Sequence, residues 1–111
     1  MKMISSQFES ELLNNELAAA YFWSPNCQKC RLLGPSIESL AKKKGIALVK
    51  VDVSIEQSIA LQYGVLGLPT LIFFRRGQEN LRLTPANISM KEIQEACEQI
   101  IGLHSTAKCN T

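Results

Sequence analysis

An α/β fold, with a mixed sheet flanked by helices on both faces, is predicted from three features of the chain. Apolar runs at residues 17–23, 46–53 and 71–74 are short and nearly unbroken, as in strands covered on both sides. Residues 27–44 and 89–101 instead carry apolar residues at helical spacing. A turn, Arg75-Arg76-Gly77-Gln78, lets residues 79–83 return against the third run as a hairpin. The order is αβαβα, then the hairpin, then a helix. Strands joined through a helix run parallel and hairpin strands antiparallel, so the sheet is mixed. It has four strands, or five if Met1 to Ile4 adds an edge strand.

The first helix is expected from Ser6 to about Asn15. Ser6 with Glu9 resembles a capping box, and Phe8, Leu12 and Leu13 share a face. Residues 17–23 hold three alanines, which do not favour strands, yet their continuous apolarity and the following Pro25 suit a central strand. In residues 27–44 the predicted stripe is Leu32, Leu33, Ile37, Leu40 and Ala41, with Pro35 kinking the helix two turns in. Lys42 to Lys44 complement the carboxyl end of its dipole and Gly45 stops it. Ser54 with Gln57 reads as a second capping box, before a short helix ending at Tyr63 and Gly64. Ser89 with Glu92 caps the last helix, whose stripe is Ile93, Ala96, Cys97, Ile100 and Ile101. Gly102 is expected to end it, leaving residues 104–111 as a flexible tail after a single domain of residues 1–103.

Composition removes several functions. With 12 basic and 10 acidic side chains, the net charge of +2 is too balanced to argue for nucleic acid or a membrane surface. No apolar run approaches the roughly 20 residues of a membrane span. The start has no apolar core of a secretory signal, so a cytoplasmic location is expected. The single histidine, His104, lies near the chain end, which disfavours a Cys-His nucleophile and leaves a Cys2His2 zinc site one ligand short.

The chemistry concentrates in Cys27-Gln28-Lys29-Cys30, where a strand passes into a helix. Unpaired backbone N–H groups and the positive end of the helix dipole favour a thiolate on Cys27. A thiolate beside a second thiol is equipped for disulfide exchange, in a reducing compartment. The alternative is a structural or metal-linked pair, although Cys97 and Cys109 lack the paired spacing for the other half of a tetrahedral site. Cys97, on the last helix's apolar stripe, reads as a small core residue, and Cys109 as a free tail thiol.

Several motifs in order resemble the thioredoxin family, over roughly residues 8–101. Residues 22–30, ending in Cys27-Gln28-Lys29-Cys30, are similar to its active-site segment. Pro35 matches its kinking proline, Lys50-Val51-Asp52 its lysine-bearing strand, Gly67-Leu68-Pro69-Thr70 its cis-proline loop and residues 74–78 its hairpin turn. Three positions depart from the pattern. Gln28-Lys29 stand where the family usually has Gly-Pro, Asn26 where it usually has tryptophan, and Tyr21 where it keeps a buried acid.

The resemblance implies a thioredoxin-like fold and a monomeric disulfide oxidoreductase with no bound cofactor or metal. It would act on disulfide-containing protein substrates and be reduced by a thioredoxin reductase or another thiol donor. Cys27 is the nucleophile and Cys30 resolves the mixed disulfide. Lys29 adds a cation beside the pair, and Trp23 packs against the site. Gly67, Leu68 and Pro69 would hold the substrate chain as an added strand, with a cis bond before Pro69. Tyrosine is a poor base near neutral pH, so either mixed disulfides resolve slowly or a proton moves through water near Lys50. The alternative function is a redox-inactive protein-binding module on the same fold, and a glutaredoxin-like use of glutathione stands third.

Overall fold

The computed structural model describes residues 2–109, with side chains described for residues 8–102. The elements are α1 (Lys2–Asn14), β1 (Leu17–Trp23), α2 (Gln28–Lys44), β2 (Ala47–Asp52), α3 (Gln57–Gln62), β3 (Thr70–Arg75), β4 (Gln78–Leu83) and α4 (Met90–Cys109). They build one four-stranded sheet in the order β2-β1-β3-β4. β1 runs parallel to β2 and antiparallel to β3, and β3 pairs antiparallel with β4.

β1 is central, and its alternate side chains supply two cores. Ala19 and Tyr21 join Cys30, Ile37 and Ala41 of α2 and Ile93, Ala96, Cys97 and Ile100 of α4 on one face. Ala18, Ala20 and Phe22 join Phe8 and Leu12 of α1 and Ile59 and Ala60 of α3 on the other. The three alanines fit because this strand is buried on both sides and small side chains let helices lie close to it. Packing therefore overrides their low strand propensity.

Four local expectations are corrected. α1 starts at Lys2, so Ser6 lies inside a helix and residues 2–4 form no fifth strand. No glycine or proline interrupts the helical spacing upstream of Phe8. Leu32 is 70% exposed, because the face of α2 that meets the sheet is Cys30, Gly34, Ile37 and Ala41. Ser54 does not cap α3: its N–H and hydroxyl both donate to Asp52 Oδ1, at 3.0 and 2.6 Å. Asp52 competes successfully for that donor by closing a turn two residues on. Gly102 does not end α4, which continues to Cys109. A glycine stops a helix by taking the left-handed conformation, and Gly102 has no positive φ. The side chains of His104 and Cys109, and residues 110–111 altogether, lie outside those described.

Other signals are realised. Gly45 closes α2 at φ 75°, and Ser89 Oγ accepts the Glu92 N–H of α4 at 3.2 Å. Arg76 and Gly77 have φ of 54° and 83°, the two positive values of a type I′ hairpin turn. A β-carbon on Gly77 would stand 2.5 Å from Leu13 Cδ2, so the turn also sits directly against α1. On β4, Arg82 grips Glu79 through two bonds of 2.8 Å and donates to the Tyr63 carbonyl at 2.9 Å. This fork ties the end of α3 to the sheet.

Two outcomes follow from this packing. Gly77→Ala meets both a left-handed backbone and Leu13, and should lower stability in urea unfolding by about 1–3 kcal/mol. The hydrogen bond from Arg82 holds the Glu79 carboxyl below its ordinary 4.5. A carboxyl with a depressed folded pKa adds stability above its unfolded pKa and loses it as pH falls. Glu79→Gln should therefore cost about 0.5–1 kcal/mol at neutral pH, with the gap to wild type closing on acidification below 4.5.

Candidate active site

The site lies where the carboxyl end of β1 meets the amino end of α2. Cys27 is the N-cap of α2: its backbone is extended (φ −93°, ψ 107°) and its Sγ accepts the Cys30 N–H at 3.2 Å. Sulfur thus occupies the place of a capping oxygen, facing the free N–H groups and the positive dipole end. The Cys27 N–H turns back to the Ser24 carbonyl and the Arg31 N–H bonds the Cys27 carbonyl, both at 3.1 Å. Cys27 and Cys30 are joined as a disulfide with Cα atoms 5.2 Å apart, inside the usual span for such a bond. Cys27 is half-buried and Cys30 only 1% exposed. One sulfur is open to attack and the other is shielded one turn behind it.

Tyr21 lies beneath this turn. Its hydroxyl donates to the Cys30 carbonyl at 2.8 Å, and its ring lies 3.8 Å from where a β-carbon on Gly34 would stand. Burial pushes the phenol up to about 12, so it stays protonated at any physiological pH. Lys50 neighbours Tyr21 in the β1–β2 register. Its Nζ sits 2.6 Å from Glu38 Oε2 and 5.3 Å from the centre of the Trp23 ring. Trp23 is half-buried against the α2–α4 core, and Gln28 and Lys29 are exposed on the first turn of α2. Cys97 is free and buried, and burial pushes its thiol up.

The loop before β3 comes to the same end of the sheet. Thr70 pairs with Phe22, so the cis Leu68–Pro69 bond immediately precedes the strand position opposite the carboxyl end of β1. Thr70 Oγ1 donates to the Gly67 carbonyl at 2.7 Å and fixes the loop. Gly67 itself packs tightly: a β-carbon there would stand 3.1 Å from Pro85 Cγ. Against this loop lies a cleft of about 330 Å³, lined by Val53, Ala60, Leu61, Val65, Leu66 and Leu68. Leu61 and Leu66 are 80% and 98% exposed.

The predicted residues thus gather at one end of the sheet, except that the Lys50 ammonium is engaged with Glu38. Sequence reasoning missed Glu38, the Arg82 fork and the Leu61–Leu66 cleft. The cleft had a signal, since Leu61 follows the buried Ala60 and breaks the helical pattern. The Glu38 and Arg82 partnerships depend on tertiary placement and left no mark in local spacing.

Comparison with known proteins agrees with this geometry. The family model described as thioredoxin matches residues 1–99. Thioredoxin from Porphyra purpurea is 31% identical over 80 residues, covering 69% of this chain and 75% of that protein. Thioredoxin from Bacillus subtilis is 28% identical over 106 residues, covering 94% and 96%. The structure of a mutant thioredoxin from Halobacterium salinarum superimposes with a TM-score of 0.79 at 28% identity, covering 85% of this chain and 82% of that one. With its Cys27–Cys30 pair bonded at the head of α2, this thiol–disulfide oxidoreductase belongs to the thioredoxin family.

Proposed function

We propose that the protein reduces disulfide bonds in protein substrates, with Cys27 as nucleophile and Cys30 as resolving thiol. The Cys27 thiolate attacks one sulfur of the target disulfide. A Cys27–target bond forms, the target S–S bond breaks, and the released target thiolate takes up a proton. Cys30 then loses its proton and attacks Cys27 Sγ. The Cys27–Cys30 bond forms and the second target thiolate leaves. Two electrons pass to the target, and a thioredoxin reductase or another dithiol donor returns them. The observation that carries this reading is the placement of Cys27 Sγ as the cap of α2, with Cys30 one turn inside.

An extended target segment would pair with the backbone of Gly67, Leu68 and Pro69 as an added strand. The apolar cleft alongside gives that segment's side chains a place away from water. A monomer acting in the cytoplasm is consistent with this use, since one chain holds the whole site.

Insulin reduction with a dithiol donor should disappear in Cys27→Ser and fall to a small residue in Cys30→Ser, which should instead accumulate mixed disulfides through Cys27. Wild-type inactivity with both dithiol and enzymatic donors, with partner binding retained in the double Cys→Ser variant, would favour a binding module. Leu66→Ser should lower kcat/KM for insulin about three- to tenfold while leaving reduction of a small disulfide unchanged, because only the protein substrate reaches the cleft.

A further inference from the structure

We propose that Tyr21 is the positioning residue of the resolving step, and that this step runs without a protein base, so that mixed disulfides on Cys27 persist at neutral pH. The inference rests on the reductase reading and specifies the slow half of its cycle.

Cys30 must lose a proton before its sulfur can attack Cys27, and it is 1% exposed. The groups on each surrounding element are accounted for. From β1 comes Tyr21, whose proton is committed to the Cys30 carbonyl at 2.8 Å. From β2 come Lys50, held by Glu38 of α2 at 2.6 Å, and Asp52, whose Oδ1 takes both donors of Ser54. β3 and β4 present Leu71, Phe73, Leu81 and Leu83 to this core. From α4 come Cys97, a neutral buried thiol, and Glu98, an exposed carboxylate paired with Lys44 of α2 at 3.6 Å. On α2 itself, Lys29 and Arg31 are exposed cations. Thr70 spends its hydroxyl proton on Gly67, and no charged side chain is fully buried among the described residues. Among the described residues, therefore, no buried carboxylate lies beside Cys30 to receive its proton.

The proton passes instead to water before the attack, and the departing target thiolate takes up its own proton from solvent. The electron pair left on Cys30 Sγ becomes the Cys27–Cys30 bond, and the pair of the broken Cys27–target bond leaves with the target sulfur. The rate then follows the thiolate fraction of Cys30, which falls about tenfold per pH unit below the thiol pKa. Tyr21 contributes geometry. Its hydroxyl fixes the Cys30 carbonyl and its ring underlies Gly34, so the first turns of α2 stay on β1 while the disulfide is open.

Single-turnover mixing of the reduced protein with excess glutathione disulfide, followed by Trp23 fluorescence and acid quench, separates the two steps. The first phase scales with glutathione disulfide and the second does not. Between about pH 6 and 8, below the ordinary thiol pKa of about 8.5, the second phase should rise about tenfold per unit. Tyr21→Phe should keep that slope and slow the phase about two- to tenfold at every pH, the range of one neutral hydrogen bond. Tyr21→Glu, where it folds, should flatten the slope near neutrality by supplying the missing base. A neutral plateau in wild type, an unchanged rate in Tyr21→Phe, or a changed slope in Tyr21→Phe each overturns this proposal alone. Absence of the first phase overturns the reductase reading as well.

Discussion

The packing of α2 across β1 is the contact on which the rest of the molecule depends. Cys30, Gly34, Ile37 and Ala41 form the inner edge of the helix, and Ala19 and Tyr21 form the strand surface beneath them. Small residues at 19, 34 and 41 bring the two backbones close, and Tyr21 fills the wider space under the first turns. Burial of apolar area supplies the stabilisation, at about 25 cal/mol per Å² removed from water. The Tyr21–Cys30 bond adds direction to it. A helix held only by apolar contacts can slide by a fraction of a turn, whereas a hydroxyl bonded to a named carbonyl fixes its rotation. Because α2 begins at the disulfide, that rotation sets where Cys27 faces.

Two further fastenings bring the remaining wall of the site into place. The loop preceding β3 is tied internally by Thr70 and packed externally by Pro85. The end of α3 is tied to β4 by Arg82, which spans Tyr63, Gly64 and Glu79. Charge-assisted forks of this kind hold geometry better than single bonds do. The apolar cleft between α3 and the loop is therefore flanked by polar ties, one at Gly67 in its own lining and one at the end of α3. Its exposed leucines are a property of a fixed surface.

The sequence carried much of this because its signals were local. The strand at residues 17–23, the turn at Arg76-Gly77, the Ser89 cap and the Gly45 stop each act within a few residues, and each appears as expected. Cys27, Cys30 and Pro69 were legible because CxxC and Gly-x-Pro-Thr are short motifs. The failures share one cause, which is competition between local options settled elsewhere. Ser54 could cap a helix or close a turn with Asp52, and the turn won. Leu32 and Leu33 could each face the sheet, and the rotation fixed at Cys30 turned Leu32 outward. Gly102 could stop α4, but α4 carries on through it without the left-handed turn a stop requires. Lys50 stands over Trp23 beside the site, and its contact with Glu38 of α2 left no mark in local spacing.

The departures inside the motif fall into two physical kinds. Gln28 and Lys29 are exposed, so their identity is free of packing constraint. Tyr21 is buried to 1% exposure, so its identity is bound to the volume beneath Gly34 and to the Cys30 carbonyl. A carboxylate in that volume must either ionise at a desolvation cost or stay neutral, and each choice brings a titrating group into the core. Tyrosine avoids that cost and holds the helix, but it gives up a proton acceptor. On the proposed mechanism Cys27 draws its activation from the end of α2, whereas Cys30, above Tyr21, has only its own acidity.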